Sequence, residues 1–185
     1  MPHSVCPWWI GYLLASPLRR LAYKPEQILA EHVREGMTVL EPGPGMGFFT
    51  LELAQRVGAS GRVVAVDIQQ EMLDHLKRRA GKAGLLDRVD VRLAQPDSMG
   101  LTDLAGAVDF VLAFAMVHEV PSPGKFFAEA ARTLKPAAGM LLVEPAGHVK
   151  DAEFDAELAD AARAGLMVAG RPVIRRSLSA FLRKS

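Results

Sequence analysis

Three glycines at alternate positions, Gly43, Gly45 and Gly47, have the spacing of a binding loop. An apolar run that ends at the acid Glu41 precedes them, and a second apolar run, 48–57, follows them. This order predicts a strand, a tight loop and a helix. Glycine permits positive φ and lets a ligand lie against the backbone. The start of a helix offers N–H groups and a partial positive charge. The loop is therefore expected to bind a polar or anionic ligand at the carboxyl end of a strand.

A second acid, Asp67, ends the apolar run 62–66. It lies roughly 20 residues beyond the glycine loop, where nucleotide-binding folds place a carboxylate on the ribose hydroxyls. That position suits NAD and other nucleosides equally. The spacing G-x-G-x-G differs, however, from the G-x-G-x-x-G of dinucleotide-binding folds. An NAD-dependent oxidoreductase is therefore disfavoured but stays open.

Four stretches together carry a family resemblance. They are Val39-Leu40-Glu41 with the glycine loop, Val64-Ala65-Val66-Asp67, Val108-Asp109-Phe110-Val111-Leu112, and Leu134-Lys135-Pro136 with 139–144. In this combination the chain resembles the class I S-adenosylmethionine (SAM)-dependent methyltransferases, and within them the small-molecule "type 11" branch. The resemblance extends over roughly residues 25–183.

The resemblance implies both a fold and a cofactor. The fold is a doubly wound α/β structure whose seven-stranded, mostly parallel sheet has the strand order 3-2-1-4-5-7-6, with the seventh strand antiparallel. The cofactor is SAM, and S-adenosylhomocysteine is its product. The residues expected to bind SAM are Glu41, Gly43, Pro44, Gly45, Met46, Gly47, Asp67, Ile68, Gln95, Pro96 and Phe114. In this family an acid in the loop after the third strand often contacts the adenine, and here Gln95 or Asp97 takes that place.

Hydrophobic periodicity and turn residues predict the elements that position these side chains. After the first strand and helix, the predicted elements are a strand ending at Asp67, a helix 69–83, a strand within 87–94, a strand 108–115, a helix opened by Ser122-Pro123, a strand 139–144, a helix 151–164 and closing strands within 166–174 and 178–182. A further helix is predicted from Pro25 to a stop at Gly36. A domain of residues 25–185 is expected, with residues 1–24 as an N-terminal arm.

Three side chains at or beyond strand ends are candidates for proton transfer. They are His118 and Glu119, and secondarily His148. Methyl transfer needs alignment above all, and a base only where the acceptor must lose a proton. A structural hydrogen bond is the alternative role for His118. The spacing of these residues gives a metal site no specific support, and none is predicted.

Composition limits the partners and the compartment. The chain has 185 residues, a formal net charge of +1 and one cysteine, Cys6. We therefore expect no nucleic-acid partner, a cytoplasmic location and no membrane span or signal peptide. Basic clusters such as 77–79 are interpreted as solvated faces. Trp8, Trp9 and Tyr12 in the arm are equally compatible with a lid over the active site and with simple packing.

The acceptor is expected to be a small molecule, such as a thiol, a metalloid or a quinol precursor. Amide and exocyclic-amine methyltransferases carry N-P-P-Y after the fourth strand, and here that place reads Phe114-Ala115-Met116-Val117. A SAM- or nucleotide-binding module without catalysis is the main alternative function. Nothing in the residues indicates an oligomeric state.

Overall fold

The computed structural model describes residues 23–185, which fall into two compact units, 23–94 and 95–185. Within the described residues, none of the helices combines the length and the apolar character needed to cross a membrane. Trp8, Trp9 and Tyr12 lie outside the described residues, so the arm and the proposed domain limits stay predictions.

The unit 23–94 alternates helices and strands. Its elements are α1 (Pro25–Ile28), β1 (Thr38–Pro42), α2 (Thr50–Val57), β2 (Arg62–Asp67), α3 (Gln70–Lys82) and β3 (Val89–Leu93). β1 pairs in parallel with β2, and β2 with β3. The interior residues of β1 and β2 are almost fully buried, as expected for parallel strands that helices cover on both faces.

The unit 95–185 begins with the same alternation and ends in antiparallel pairs. Its elements are β4 (Val108–Phe114), α4 (Pro123–Thr133), β5 (Leu134–Pro145), α5 (Asp151–Arg163), β6 (Leu166–Gly170) and β7 (Ser177–Lys184). β4 pairs in parallel with β5, whereas β7 is antiparallel to both β5 and β6.

The seven strands form one sheet in the order β3-β2-β1-β4-β5-β7-β6. This confirms the predicted α/β class, the strand order and the antiparallel seventh strand. In this order the first three strands of the chain follow one another in one direction, and the last four are placed in the opposite direction. In open α/β sheets, ligands bind beyond the carboxyl ends of the strands.

Three local predictions differ from the structure. The helix expected from Pro25 to Gly36 covers only Pro25–Ile28, although turns continue to bury Leu29 and Val33. The fifth strand begins at Leu134 rather than at 139, because Leu134 already pairs with Val108 of β4.

Ser122 occupies the N-cap of α4 as expected, but its side chain makes no capping hydrogen bond. Proline at the first helical position fixes φ near its helical value. The start of α4 is therefore set by Pro123 rather than by the hydroxyl.

Candidate active site

The three glycines of the loop after β1 all adopt positive φ, with values of 63° at Gly43, 54° at Gly45 and 84° at Gly47. A Cβ added to Gly45 would meet no atom within 4 Å, whereas one added to Gly47 would collide with the side chain of Leu76. Gly47 therefore allows the loop to pack on α3. Gly45 leaves open space beside the backbone.

The remaining loop residues are mostly buried and anchored. Glu41 is 4% exposed and Met46 is 3% exposed, and Pro44 is also buried. The guanidinium of Arg79, on α3, donates to the carbonyl oxygen of Met46. The interpretation of 77–79 as a solvated face is therefore wrong for Arg79, which lies half-buried.

Asp67 lies at the end of β2 and is half-buried. Its Oδ1 accepts a hydrogen bond of 3.0 Å from the N–H of Gln69, the residue that precedes α3. Ile68 beside it is 39% exposed, and Leu93, which pairs with Asp67 from β3, is 53% exposed. A carboxylate and apolar side chains thus lie together, as a ribose and an adenine ring would require.

The residues after β3 form a tight turn. Gln95 and Ser98 exchange two backbone hydrogen bonds of 3.0 and 3.2 Å. Gln95, Pro96 and Asp97 are all exposed. The adenine contact through Gln95 or Asp97 stays a prediction.

His118 is held by a buried carboxylate in the unit 95–185. Glu144, near the end of β5, is fully buried, and its Oε2 lies 2.5 Å from Nδ1 of His118. Its Oε1 accepts a hydrogen bond of 2.8 Å from the N–H of Val117. The two oxygens of Glu144 therefore fix both the ring of His118 and the backbone beside it.

The backbone before His118 makes this geometry possible. Phe114, 8% exposed, ends β4, and Ala115 adopts an unusual φ of 55°. The N–H of Ala115 donates to the carbonyl of Val143 at 2.7 Å. A non-glycine residue at positive φ is costly and is kept where the surroundings demand it. This turn lies between the end of β4 and the residues Val117 and His118, which contact Glu144.

The other candidates for proton transfer lie beside the same imidazole. Nε2 of His118 is 3.8 Å from Oε1 of Glu119. The ring of His148, an exposed residue between β5 and α5, lies 4.8 Å from the His118 ring between centroids. Among residues 23–185, no group of three or more histidine, cysteine, aspartate or glutamate side chains is arranged to hold a metal ion.

Sequence reasoning missed a carboxyl group in this cluster. Glu157 lies on α5 and is only 6% exposed. It shares the buried face of that helix with Phe154, Leu158 and Ala161. The signal was present in the sequence, because a glutamate three residues after Phe154 falls on the apolar side of an amphipathic helix.

The electrostatics of the cluster act on both His118 and Glu157. Burial lowers the pKa of His118, but the hydrogen bond and charge of Glu144, with Glu119 and Glu157, raise it above its usual value overall. Burial, reinforced by the charge of Glu144, raises the pKa of Glu157 to about 8. A histidine with a carboxylate on Nδ1 can act as a base through Nε2.

Comparison with known proteins places this geometry in a family. A family model described as "Methyltransferase domain" matches residues 39–137. A SAM-dependent methyltransferase of Aquifex aeolicus of known structure superposes with a TM-score of 0.87 at 27% identity, covering 98% of this chain and 100% of that one.

Two curated relatives are similar over shorter shares of their own lengths. The ubiquinone/menaquinone biosynthesis C-methyltransferase UbiE of Hydrogenovibrio crunogenus is 29% identical over 66% of this chain and 47% of that protein. An arsenite methyltransferase of Aquipseudomonas alcaligenes is 30% identical over 86% of this chain and 46% of that protein. The chain spans about half the length of the curated relatives it matches.

The family match, the sheet order and the glycine loop agree with one another. SAM is the cofactor of the family. The chain belongs to the class I SAM-dependent methyltransferases, in the type 11 group of methyltransferase domains.

Proposed function

We propose that this protein transfers a methyl group from SAM to a small-molecule acceptor. The observation that carries the proposal is the loop after β1, where Gly43, Gly45 and Gly47 adopt positive φ and Gly45 borders open space. In the proposal this loop and Glu41 hold the amino-acid end of SAM. Asp67 accepts from the ribose hydroxyls, and Ile68 covers the adenine.

The chemistry leaves the protein chiefly the work of alignment. SAM supplies a methyl group on a positively charged sulfur, which is already a good leaving group. Orientation of the reactants can then contribute several kcal/mol, up to about 7–11, to lowering the barrier. Residues that hold and orient the reactants therefore matter more than residues that activate the sulfur.

In the proposal His118 takes a proton from the acceptor. Glu144 at Nδ1 favours the tautomer in which Nδ1 carries the hydrogen and Nε2 holds a lone pair. The charge of Glu144 also stabilises the imidazolium that forms when Nε2 accepts the proton. Glu119 and His148 are assigned contacts with the acceptor or with His118.

This role for His118 favours acceptors whose nucleophilic atom carries a proton. Thiols and quinol precursors are of this kind, and arsenite is a further candidate because a relative is an arsenite methyltransferase. The named relatives act in quinone biosynthesis or on arsenite, which supports a small molecule over a macromolecule. The net charge of +1 offers no general attraction for nucleic acid. With a single cysteine, the cytoplasm is the proposed compartment.

The first test of the proposal is isothermal titration calorimetry with SAM, S-adenosylhomocysteine and NAD. We expect SAM and S-adenosylhomocysteine to bind and NAD to give no heat. Binding of NAD alone would replace the proposal with the oxidoreductase alternative.

The second test incubates the protein with SAM and a panel of a thiol, a quinol and arsenite. Tight SAM binding without S-adenosylhomocysteine formation for any acceptor would favour a binding module without catalysis.

A further inference from the structure

The loop that joins β6 to β7, residues 171–176, is rich in arginine, and we call it the arginine loop. Its three arginines, Arg171, Arg175 and Arg176, are all exposed. Residues 161–185, which include the loop and both strands, contain no aspartate or glutamate. The loop therefore presents positive charge, and its own stretch of the chain supplies no acid.

The arginine loop lies at the carboxyl edge of β5. Pro145 ends β5 and pairs with Ser177, the first residue of β7. Because β7 runs antiparallel to β5, the chain enters β7 from this edge. Ligands of open α/β sheets bind beyond the same edge. The loop is therefore on the side of the sheet where the candidate bases follow β4 and β5.

Backbone contacts connect the arginine loop to the two histidines of the site. The N–H of Ala146 donates to the carbonyl of Arg176 at 3.1 Å. Ala146 begins the turn that carries His148, whose ring lies 4.8 Å from the ring of His118 between centroids. β5 lies between β4 and β7, so the end of β4 and the start of β7 are two strand spacings, or roughly 10 Å, apart. A small organic molecule can span that distance.

Hydrogen bonds to main-chain carbonyls hold the arginine loop in place. Ser177 donates at 3.2 Å from its N–H to the carbonyl of Ile174 and at 3.2 Å from its hydroxyl to the carbonyl of Arg175. The hydroxyl of Ser179 donates to the carbonyl of Pro172. None of these bonds uses an arginine side chain, so they fix the loop without engaging the guanidinium groups.

The backbone at Arg176 is unusual for its residue type, because its φ is 55°. Glycine adopts a left-handed φ without strain, whereas other residues seldom do. Such a conformation in a non-glycine residue is found most often at ligand-binding sites. The turn alone therefore does not explain an arginine at this position.

We propose that Arg175 and Arg176 bind a carboxylate group of the methyl acceptor, so that the acceptor is a small organic acid whose nucleophilic atom lies at His118. The inference rests on the proposed function, since it takes the bound molecule to be the acceptor. It adds the chemical class of that acceptor, namely an acid that also carries a thiol or a phenol.

The side chains of the loop suit such a ligand. A guanidinium binds a carboxylate through paired, charge-assisted hydrogen bonds. Val173 is 101% exposed, and it provides apolar contact for the carbon frame of the acceptor. Arg171 has a different role, because its guanidinium lies over the ring of Phe154 at 5.6 Å.

Charge also sets the direction in which the acceptor lies. Oε1 of Glu119 is 3.8 Å from Nε2 of His118, and the buried Glu144 contacts the other ring nitrogen. These carboxylates repel an acid group that approaches the imidazole, whereas the arginine loop attracts it. The acid end of the acceptor is therefore directed to the loop, and the proton-bearing end to Nε2.

The test uses two pairs of probes that differ in charge but scarcely in shape. They are para-mercaptobenzoate with para-mercaptobenzamide, and gentisate with gentisamide. Calorimetry measures their affinities for the full chain in the presence of S-adenosylhomocysteine. We expect at least one carboxylate to bind roughly ten-fold more tightly than its amide, which corresponds to one charge-assisted contact. Added salt should reduce the difference, since exposed charges are screened.

Substitutions then locate the contact. Arg176→Gln should reduce the preference for the carboxylate, and the double variant Arg175→Gln with Arg176→Gln should abolish it, with the affinity for the amide unchanged. Arg176→Lys keeps the charge and should retain most of the preference. Arg183→Gln is the matched control, because Arg183 is exposed at the other end of β7, paired with Gly139. It should keep the full preference.

Three results would overturn the inference. They are equal binding of carboxylate and amide by the wild type, no binding of any probe, and a preference that survives in the double variant. If SAM still binds and a neutral acceptor yields S-adenosylhomocysteine, the proposed function stands without the acid-binding loop. A preference that depends on the two arginines, in a protein that does not bind SAM, would support the loop and reject the cofactor assignment.

Discussion

Gly45 and Gly47 lie two residues apart but meet different physical demands. Gly47 lacks room for a Cβ because Leu76 of α3 occupies the space. Gly45 has room, so its requirement comes from a φ of 54° and from whatever enters the open space. The two glycines therefore allow binding and folding to be tested separately.

Gly45→Val should abolish SAM binding while the fold survives. The branched side chain would occupy the space expected for the cofactor, and the left-handed backbone would cost roughly 1–2 kcal/mol of stability. Calorimetry gives the affinity and thermal melting gives the stability. Gly47→Ala is the comparison, and it should cost stability because its φ of 84° is left-handed and its Cβ would displace the Leu76 side chain. Normal SAM binding by Gly45→Val would place the ligand elsewhere.

Asp67→Asn should weaken SAM binding ten-fold or more. Asparagine keeps an oxygen for the Gln69 N–H but loses the charge that strengthens hydrogen bonds to the ribose, each worth about 1.5–3 kcal/mol. The melting temperature should change little. Asp74→Asn, a change at an exposed position of α3, should leave the affinity intact. Equal affinities for the two variants would remove Asp67 from the site.

The sequence predicts the positions of some of these side chains but not their contacts. The positions of the glycine loop and Asp67 were predictable, because the loop follows β1 directly and Asp67 is the last residue of β2. The pairing of His118 with Glu144 was not, because it joins residues 26 apart along the chain. The predicted strand 139–144 ends at Glu144, and His118 is predicted to lie beyond another strand end, but spacing alone does not say which side chains meet. Glu157 was not predicted, because a glutamate on an amphipathic helix is almost always exposed, and this one is only 6% exposed.

Helix α3 contacts the glycine loop after β1, and no sequence motif predicts these contacts. α3 supplies Leu76 against Gly47 and Arg79 on the carbonyl of Met46. Arg79 and Met46 are 33 residues apart, and a basic cluster on a helix usually faces solvent. The helix that follows β2 therefore fixes the conformation of the loop that follows β1.

Arg79→Met should lower SAM affinity several-fold. The carbonyl of Met46 would lose a charge-assisted donor worth about 1.5–3 kcal/mol, and part of that loss should appear as a less ordered loop. Arg78→Met is the control, since Arg78 is exposed one position earlier. Calorimetry on the two variants measures the difference. If both bind SAM equally well, Arg79 has only a local structural role.

The observed limits of some strands and helices differ from those that hydrophobic periodicity predicts. The central strands were predicted closely because each is a continuous apolar run. β5 starts earlier than its apolar run because Leu134 already pairs with Val108 of β4, before a register irregularity after which Gly139 pairs with Phe110. α1 ends after one turn, although its apolar spacing continues to Val33. Side chains that turns bury give the same hydrophobic pattern in the sequence as side chains that a helix buries.

The chain as a whole identifies a family more firmly than a substrate. Its sheet order and glycine loop belong to a fold that supports many activities, because function is carried by sites that differ between proteins of the same fold. The curated relatives extend to about twice the length matched here. The reaction must therefore be established by the acceptor panel rather than by the fold.

The pH dependence of stability is the last property that the buried cluster should determine. Glu157 has a folded pKa of about 8 against an ordinary 4.5. Between these values the folded chain binds more protons than the unfolded chain, so the stability contributed by this proton is full below 4.5 and is lost as the pH rises to about 8. His118 acts with the same sign. Its folded pKa is raised, so its contribution is present below 6.5 and is lost as the pH rises through the folded value.

Glu157→Gln should therefore match the wild type in stability under acidic conditions and exceed it under alkaline ones. Glutamine resembles the neutral acid, so the free energies of unfolding should be similar at about pH 5 and should diverge up to about pH 8 by an amount on the order of a few kcal/mol. Denaturant unfolding at a series of pH values measures this difference directly. Asp155→Asn changes a residue on the exposed face of α5. Its free energy of unfolding should vary with pH in parallel with that of the wild type. A Glu157→Gln curve that also stays parallel would mean that Glu157 is already ionised in the folded chain at low pH, and that its burial is offset by a donor.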